Sequence, residues 1–497
     1  MSARPDAIDA GVIDTDGAVM TPGPRLSTRE LDRKASSSLF WQGAKISIHL
    51  LQYVVLARLV VPEEFGKFAL AVPLFLVLSA INDGGLSTAT ITGKRYDARL
   101  ASSLWLTQVG LGVGMAAVML LSSPLLAVLF KVPDLVAVGG WLALSLFIES
   151  WGLQSRANLR REMRIGSLAL VEIGGLALGV TAALIASHWT HGVAVLVVAQ
   201  IAAAAARTII AFASAPLRPH AFQATAEYRN ALRTGWNVVG SDLLNILRVQ
   251  CPTLVIGFFL LLSEVGLFTR ANQLLNVPLT MLAPAMANFL LPLLSRTREV
   301  PAEFRQHVRR SQRLFLAVAI PVSVWIAMGP AHLIVLALGA EWAPVVPILQ
   351  CLSPLFMSQV IATVARMTLL ASEESRVDRF FALLNLILTA TAVLAAAPFG
   401  VFAVALALSL SGVALRAPLL TVLAVRKRTL ARSDVIDGLK VIAMLAVVSA
   451  VAAWACRLLP VIGVAKDVLG LVAAAAISAG ALAIIVRQPQ PQSGVAS

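Results

Sequence analysis

Charge is scarce in this chain. Of its 497 residues only 13% are Asp, Glu, Lys or Arg, against roughly 25% in an average soluble protein, while 58% are hydrophobic. That deficit excludes a soluble globular protein. Cysteine is scarcer still. Cys251, Cys351 and Cys456 are an odd number lying in or beside apolar runs, which excludes a disulfide framework and offers no metal-ligand spacing. Long polar stretches are missing too: between a head of about 35 residues and a tail of about ten there is no room for a sizeable soluble domain.

What is present is apolar sequence in span-sized runs, with a mean hydropathy of +0.83. A helix needs about 20 apolar residues to cross a bilayer and a short loop adds about ten, so the chain accommodates about fourteen spans. The runs fall at 37–61, 67–92, 101–122, 135–155, 167–187, 191–213, 235–260, 266–294, 312–338, 344–370, 379–397, 401–424, 438–458 and 468–486. Pro73, Pro278, Pro284, Pro321 and Pro354 lie inside them, where neighbouring helices re-satisfy the backbone. The fold class that follows is an all-α polytopic membrane protein. Residues 1–35 lack the charged-then-apolar order of a signal peptide and read as a disordered cytoplasmic tail, with 487–497 as a second tail.

A formal charge of +14 has the look of a nucleic-acid binder until the cations are placed. Arg29, Arg33 and Lys34 flank the first run; Lys94, Arg95 and Arg99, then Arg156, Arg160, Arg161 and Arg164, then Arg229 and Arg233 fall on every second loop. The same side continues with Arg305, Arg309 and Arg310, with Arg366, Arg376 and Arg379, and with Arg426, Lys427 and Arg428. The opposite loops hold few: Arg58, Lys67, Lys131, Arg457 and Lys466. Cations gather in cytoplasmic loops, so the alternation puts both termini in the cytoplasm and removes nucleic acid as a partner.

Glu64-Phe65-Gly66-Lys67-Phe68, between the first two helices, recurs as Glu264-Val265-Gly266-Leu267-Phe268, between the seventh and eighth, at an offset of 200 residues. Both copies fall on the outer side. This predicts two six-helix bundles of like orientation, an N-lobe at 36–213 and a C-lobe at 233–425, related by a pseudo-twofold axis along the membrane normal. Residues 214–232 form the cytoplasmic connector, and 426–486 supply two appended helices.

Leu51-Gln52-Tyr53-Val54-Val55-Leu56-Ala57-Arg58 through Pro62-Glu63-Glu64-Phe65-Gly66, then Asp83-Gly84-Gly85-Leu86, resemble the opening of Wzx-type polysaccharide transporters, in particular a colanic-acid-like branch. Gly266-Leu267-Phe268-Thr269-Arg270 through Pro278, and Leu338-Gly339-Ala340-Glu341-Trp342 through Gln350, fit the same family. The resemblance implies the multidrug/oligosaccharidyl-lipid/polysaccharide flippase superfamily, with two lobes facing a central cavity. It also implies a substrate class, oligosaccharides linked through pyrophosphate to undecaprenol, membrane lipid as surroundings, and a polysaccharide polymerase and a chain-length regulator as partners. No cofactor is implied.

Polar side chains inside the spans point to the cavity walls. Trp41, Lys45, His49 and Gln52 follow i, i+4, i+8, i+11 and share one helix face. Asn237, Ser241, Asn245 and Arg248 repeat that spacing on the seventh helix, with Asp242 beside the stripe. Arg270, Asn272, Gln273 and Asn276, and Asn82 with Asp83, extend the set. A pyrophosphate needs cationic donors to enter a membrane, which assigns it to Lys45, Arg248 and Arg270; sugars need amides, hydroxyls and aromatic faces, which assigns them to Trp41, His49, Gln52, Asn237, Ser241 and Asn245.

Plainer readings stand beside these. Arg270 lies near a helix end, where a long side chain can snorkel. Lys45 can pair with Asp83 or Asp242 as a structural ion pair. Asp83, ahead of Gly84-Gly85, either caps a broken helix or, like Asp242, carries a coupling ion. Glu149 and Glu172 read as packing carboxylates, and Gly110, Gly112 and Gly114 as close-packing glycines. The basic stretch 296–313 reads as a surface helix on anionic lipid.

Three functions compete. A lipid-linked oligosaccharide flippase fits the cationic stripes. A cation-coupled multidrug exporter on the same fold calls for carboxylates in the cavity. A membrane glycosyltransferase or polysaccharide polymerase calls for a large outer loop with acidic or histidine motifs, whereas Ser187-His188-Trp189-Thr190-His191 is nearly the whole of one outer loop here. The chain therefore reads as a transporter and not an enzyme.

Overall fold

The computed structural model describes residues 28–93, 96–217, 220–285, 300–371, 375–416, 432–458 and 463–487, with a few single residues between 290 and 297 and at 418. All regular structure among them is helical.

The first group of helices is α1 (Thr28–Leu59), α2 (Pro62–Asp83), α3 (Leu86–Thr92), α4 (Ala98–Phe130), α5 (Leu135–Arg161), α6 (Ile165–Ala186) and α7 (Val193–Ser214). Residues 215–225 cross to the second group: α8 (Ala226–Phe259), α9 (Leu262–Ala285), α10 (Pro301–Ala327), α11 (Ala331–Leu338), α12 (Val345–Ala371), α13 (Ser375–Ala396) and α14 (Val401–Ser411), extended by a π turn at Gly412–Arg416. Helices α15 (Arg432–Leu458) and α16 (Val464–Arg487) follow. Within the first lobe α4 packs on α5, α5 and α6 on α7, and α1 on α6; within the second α10 and α14 pack on α12 and α8 on α13. Both α15 and α16 lie on α10. The seam between the lobes is made by α2 against α8 and α9, and by α3 against α8. We call its two extremities the turn end, where the α1–α2 and α8–α9 turns lie, and the connector end.

Local signals explain most boundaries. Pro62 opens α2 with Glu63 and Glu64 in its first turn, where a missing N–H costs nothing and negative charge meets the helix dipole. Asp97 caps α4 by accepting from the Leu100 N–H at 2.7 Å, and Thr225 caps α8 by accepting from the Tyr228 N–H at 3.2 Å. Two expected spans are broken. The second divides at Gly84 and Gly85, whose φ values of 57° and 65° are left-handed and suit glycine. The ninth bends by 80° between α10 and α11 at Gly329-Pro330. Asp467 of α16 braces that bend, its carboxylate accepting from the Leu333 N–H at 2.8 Å and its carbonyl from the Trp325 indole at 3.0 Å.

Nine helices among the described residues are long and apolar enough to cross a membrane, or ten if the bent α10–α11 pair is one span. Helices stand at the other expected positions, too polar or too short in their described part to meet that measure. Residues 28–35, expected in a disordered tail, are helical, as the i, i+4 spacing of Glu30 and Lys34 favours. Residues 1–27 and 488–497 of the two expected tails lie outside the described residues. Of the three clustered glycines only Gly112 packs closely, against Ser150; Gly110 and Gly114 face open space.

Candidate functional site: two cavities along the lobe seam

Two cavities adjoin, one in the seam between the lobes and one within the second lobe. The first, of about 620 Å³, lies between α1, α2, α8 and α9. Its polar lining comes from Gln42, Lys45, His49 and Tyr53 on α1, Gln250 on α8, and Asn272, Gln273 and Asn276 on α9. Phe65 and Phe68 of α2 add aromatic faces. The second, of about 600 Å³, lies between α8, α9, α12, α13 and α14 and is lined by Asn245, Arg248, Gln359, Arg366, Asn385 and Thr389 among others. Val249, Asn272 and Asn276 line both. Neither cavity is lined by an Asp or Glu among the described residues.

The cations of these walls differ in their partners. Lys45 forms an ion pair with Glu172 of α6. A second pair in the same lobe joins Arg207 of α7 to Glu149 of α5. Arg248 donates from Nη2 to Asn245 Oδ1 at 3.0 Å.

Arg270 is placed differently. Only 1% of it is exposed, and its guanidinium carbon sits 4.2 Å from the centre of the Phe65 ring, 5.1 Å from Trp342 and 5.7 Å from Tyr53. Nη1 donates to Gln273 Oε1 at 3.1 Å, while Nε and Nη2 have no acceptor. Tyr53, Phe65 and Gln273 also line the first cavity, so Arg270 stands behind that wall. Around it the lobes are bonded: Trp342 Nε1 donates to the Ala57 carbonyl at 2.8 Å, and Arg58 donates to the Ala337 carbonyl at 3.0 Å and to that of Leu336. The two repeat motifs meet at this end. A Cβ on Gly66 would run into the Leu262 carbonyl, and one on Gly266 into the Pro62 carbonyl, a reciprocal contact between equivalent positions.

The structure places Lys45 and His49 on the wall of the first cavity and Asn245 and Arg248 on that of the second, so the two stripes do not face each other across one cavity. Trp41 and Gln52 line neither cavity. Successive residues turn by about 100°, which puts Trp41 and Gln52 on one flank of Lys45 and Gln42, His49 and Tyr53 on the other. The pair with Glu172 turns the first flank towards α6, where the Trp41 indole lies 3.7 Å from the Cβ position of Gly166. The partner of Lys45 is thus Glu172, not Asp83 or Asp242. Asp83 accepts a hydrogen bond from the Ser87 hydroxyl across the break between α2 and α3 and lies off both cavities; Asp242 is exposed and also off them. Arg270 is caged, not snorkelled. The side chains of Asn237 and Ser241 lie outside the described residues. Missed at the sequence level were Tyr53, Gln250, Gln359, Arg366 and Asn385; Arg366 was absorbed into the cytoplasmic charge set, although it lies inside a 27-residue helix.

The profile of the family described as "Polysaccharide biosynthesis protein" matches residues 55–347. The lipopolysaccharide biosynthesis protein WzxC of Escherichia coli is 22% identical over 309 residues, 62% of this chain and 63% of that protein, so less than two thirds of the relative's length is spanned. Among solved structures, the lipid II flippase MurJ in an inward closed conformation superposes with a TM-score of 0.72 at 13% identity, covering 91% of this chain and 99% of MurJ. An inward-facing multidrug resistance MATE transporter of the MOP superfamily gives 0.65 at 14%, covering 78% and 94%. The chain is a multi-pass membrane protein with the helical fold these transporters share, and because the family profile spans more than half of its length it belongs to the polysaccharide biosynthesis protein family, as a Wzx-type member.

Proposed function

We propose that this protein is a flippase for lipid-linked oligosaccharides, moving repeat units joined by pyrophosphate to undecaprenol across the inner membrane for assembly of a surface polysaccharide. The observation that carries this reading is the pair of adjoining cavities, one between the lobes and one within the second lobe, whose walls hold cations, amides and aromatic rings and no carboxylate among the described residues. A ligand suited to such walls has an anionic linkage, hydroxyls that bond to amides, and sugar faces that stack on rings. Its prenyl chain remains in lipid. Of the three cations assigned to the pyrophosphate, Lys45 and Arg248 face the cavities in this state and Arg270 is held behind Tyr53 and Phe65.

The mechanism is alternating access with no covalent step: fourteen spans, both termini cytoplasmic, and an N-lobe at 36–213 that rocks against a C-lobe at 233–425 about a pseudo-twofold axis. In that orientation the turn end faces outward. The reciprocal Gly66–Gly266 contact supports the axis, since equivalent residues meet on it. A polymerase and a chain-length regulator are the partners that would consume the product. A multidrug exporter shares the fold, yet a cationic drug calls for acidic side chains on the cavity walls.

The test is the lipid-linked oligosaccharide pool in cells depleted of the protein. Complete repeat units accumulating on the cytoplasmic leaflet, with loss of surface polymer, is the expected result. An unchanged pool with altered sensitivity to cationic drugs would replace this reading with the exporter. Uptake of lipid-linked oligosaccharide unchanged in Lys45→Ala/Arg248→Ala would remove both residues from the pyrophosphate site.

A further inference from the structure

Lys45 belongs to two environments at once. It lines the first cavity, and its ammonium pairs with the Glu172 carboxylate, which comes from α6 and lies off that lining. The two side chains are 38% and 26% exposed, so the pair is not sealed in a core. A cavity cation that already holds a carboxylate attracts an incoming anion only as far as that carboxylate can be displaced. Once displaced, Glu172 has a second cation beside it. Arg207 of α7 crosses α6 at Gly175, where a Cβ would strike its Cγ and Cδ, and Gly175 stands three residues from Glu172 on the same helix face. Nη2 of Arg207 serves Glu149, which leaves other N–H donors on the same guanidinium. Lys45, Glu172 and Arg207 all act electrostatically on His49, which puts the three charges in one neighbourhood.

We propose that Glu172 is the resident counter-ion of the substrate site, a positioning residue that acts through Lys45. It holds Lys45 while the cavity is empty, yields it to the diphosphate and turns to Arg207. Each charge then keeps an opposite partner in both states, as intramembrane charges require. The exchange also sets the affinity, because the work of parting Glu172 from Lys45 offsets part of the attraction between Lys45 and the diphosphate. Return of the carboxylate helps the anion leave, whereas a bare cation would hold it longer and slow its release. The role rests on the flippase reading and on the place of Lys45 in it, and it supplies the step by which the site lets go.

The test is equilibrium binding of farnesyl diphosphate to the full chain in lipid nanodiscs, together with translocation of lipid-linked oligosaccharide in vesicles. Glu172→Gln is expected to bind the probe about three- to fivefold more tightly, the worth of a partly exposed ion pair, and to translocate more slowly. A merely structural pair would loosen binding when broken or leave it unchanged, and either result overturns the role. In a Lys45→Met background the gain from Glu172→Gln is expected to vanish; a gain that persists does not act through Lys45 and overturns it too. Arg207→Met/Glu149→Gln, which leaves neither partner an orphan, removes the second cation and is expected to weaken the probe by about threefold. Unchanged or tighter binding there overturns the exchange. Asp134→Asn removes one negative charge from the turn between α4 and α5, where Lys67 keeps Glu64, and is expected to move neither readout. A gain equal to that of Glu172→Gln would reduce the effect to net charge. Where Glu172→Gln does not yield folded protein, Glu172→Asp decides: its carboxylate is one methylene shorter, so tighter binding is expected, and unchanged binding overturns the role. If the wild type translocates while Glu172→Gln binds no tighter, only this role falls. If the wild type neither binds farnesyl diphosphate nor translocates, the flippase reading falls with it.

Discussion

The two ends of the lobe seam close by the same device and are fastened by different ones. At the turn end Gly66 lies against Gly266; at the connector end Gly85 lies against Gly235, so that a side chain on either partner would strike backbone. Beyond this shared approach, the turn end is bonded lobe to lobe through the Trp342 indole, the Arg58 guanidinium and the aromatic cage of Arg270. At the connector end Thr107 pairs with the Tyr228 phenol at 2.9 Å across the lobes, and Leu86 and Leu104 pack against Tyr228. Other bonds there hold the crossing segment to α4: Ser102 Oγ accepts from the His220 N–H at 2.8 Å and Ser103 Oγ from the Gln223 N–H at 3.1 Å. The difference teaches where a rocking motion meets resistance. Opening the turn end must part a buried cation from its rings and wet it, whereas opening the connector end parts the apolar contacts of Leu86 and Leu104 with Tyr228.

The comparison breaks hardest at the glycines. Gly266→Val puts a branched side chain into the Pro62 carbonyl, and backbone cannot step aside as a side-chain tip can. A loss of about 3 kcal/mol or more is expected, at the upper end of overpacking costs, together with new accessibility of turn-end positions to a thiol-reactive label. Unchanged melting and labelling would mean that the lobes do not approach here. Arg270→Met comes next, and its sign is the informative part. A guanidinium with two unsatisfied nitrogens is buried at a cost of several kcal/mol, against about 0.5–2 kcal/mol for each ring it faces. The variant is therefore expected to melt higher while translocating more slowly, because the closed turn end becomes easier to keep. A lower melting temperature would make the cage a net fastening. Trp342→Phe retains a ring over Arg270 but loses the bond to Ala57 and leaves a gap where the larger indole was buried, so a loss of about 1–3 kcal/mol is expected.

The same contrast shows what could be read in advance. Hydropathy and the alternation of cations located the helices, because both are properties of single segments. The recurrence of Glu-x-Gly-x-Phe at 64–68 and 264–268 announced a repeat, but not that Gly66 and Gly266 touch, since a contact between copies is written in neither copy alone. The stripe on α1 lies about a sixth of a turn from the cavity lining, on the side where Lys45 pairs with Glu172, on a helix more than a hundred residues away. Arg366 was missed for a related reason. Counted by segment it belongs with the cytoplasmic cations, and only the packing of α12 against α9, α13 and α14 turns it into a cavity wall. The caging of Arg270 needed three rings from α1, α2 and the stretch after α11, a coincidence no spacing rule contains.

The gentlest test is at the connector end. Ser102 is buried, and its hydroxyl both accepts from the His220 N–H and donates to the His220 carbonyl at 3.1 Å, so one small side chain satisfies both polar groups of a loop residue. In Ser102→Ala those groups turn to water, because His220 is exposed, and the cost stays at about 1 kcal/mol or below. Proteolysis within residues 215–225 is expected to quicken several-fold while translocation in vesicles changes little, since the bond lost ties the segment to α4 and not one lobe to the other. Translocation falling in step with the loosened segment would show that the connector transmits the rocking motion, and the connector end would then be fastened as firmly as the turn end.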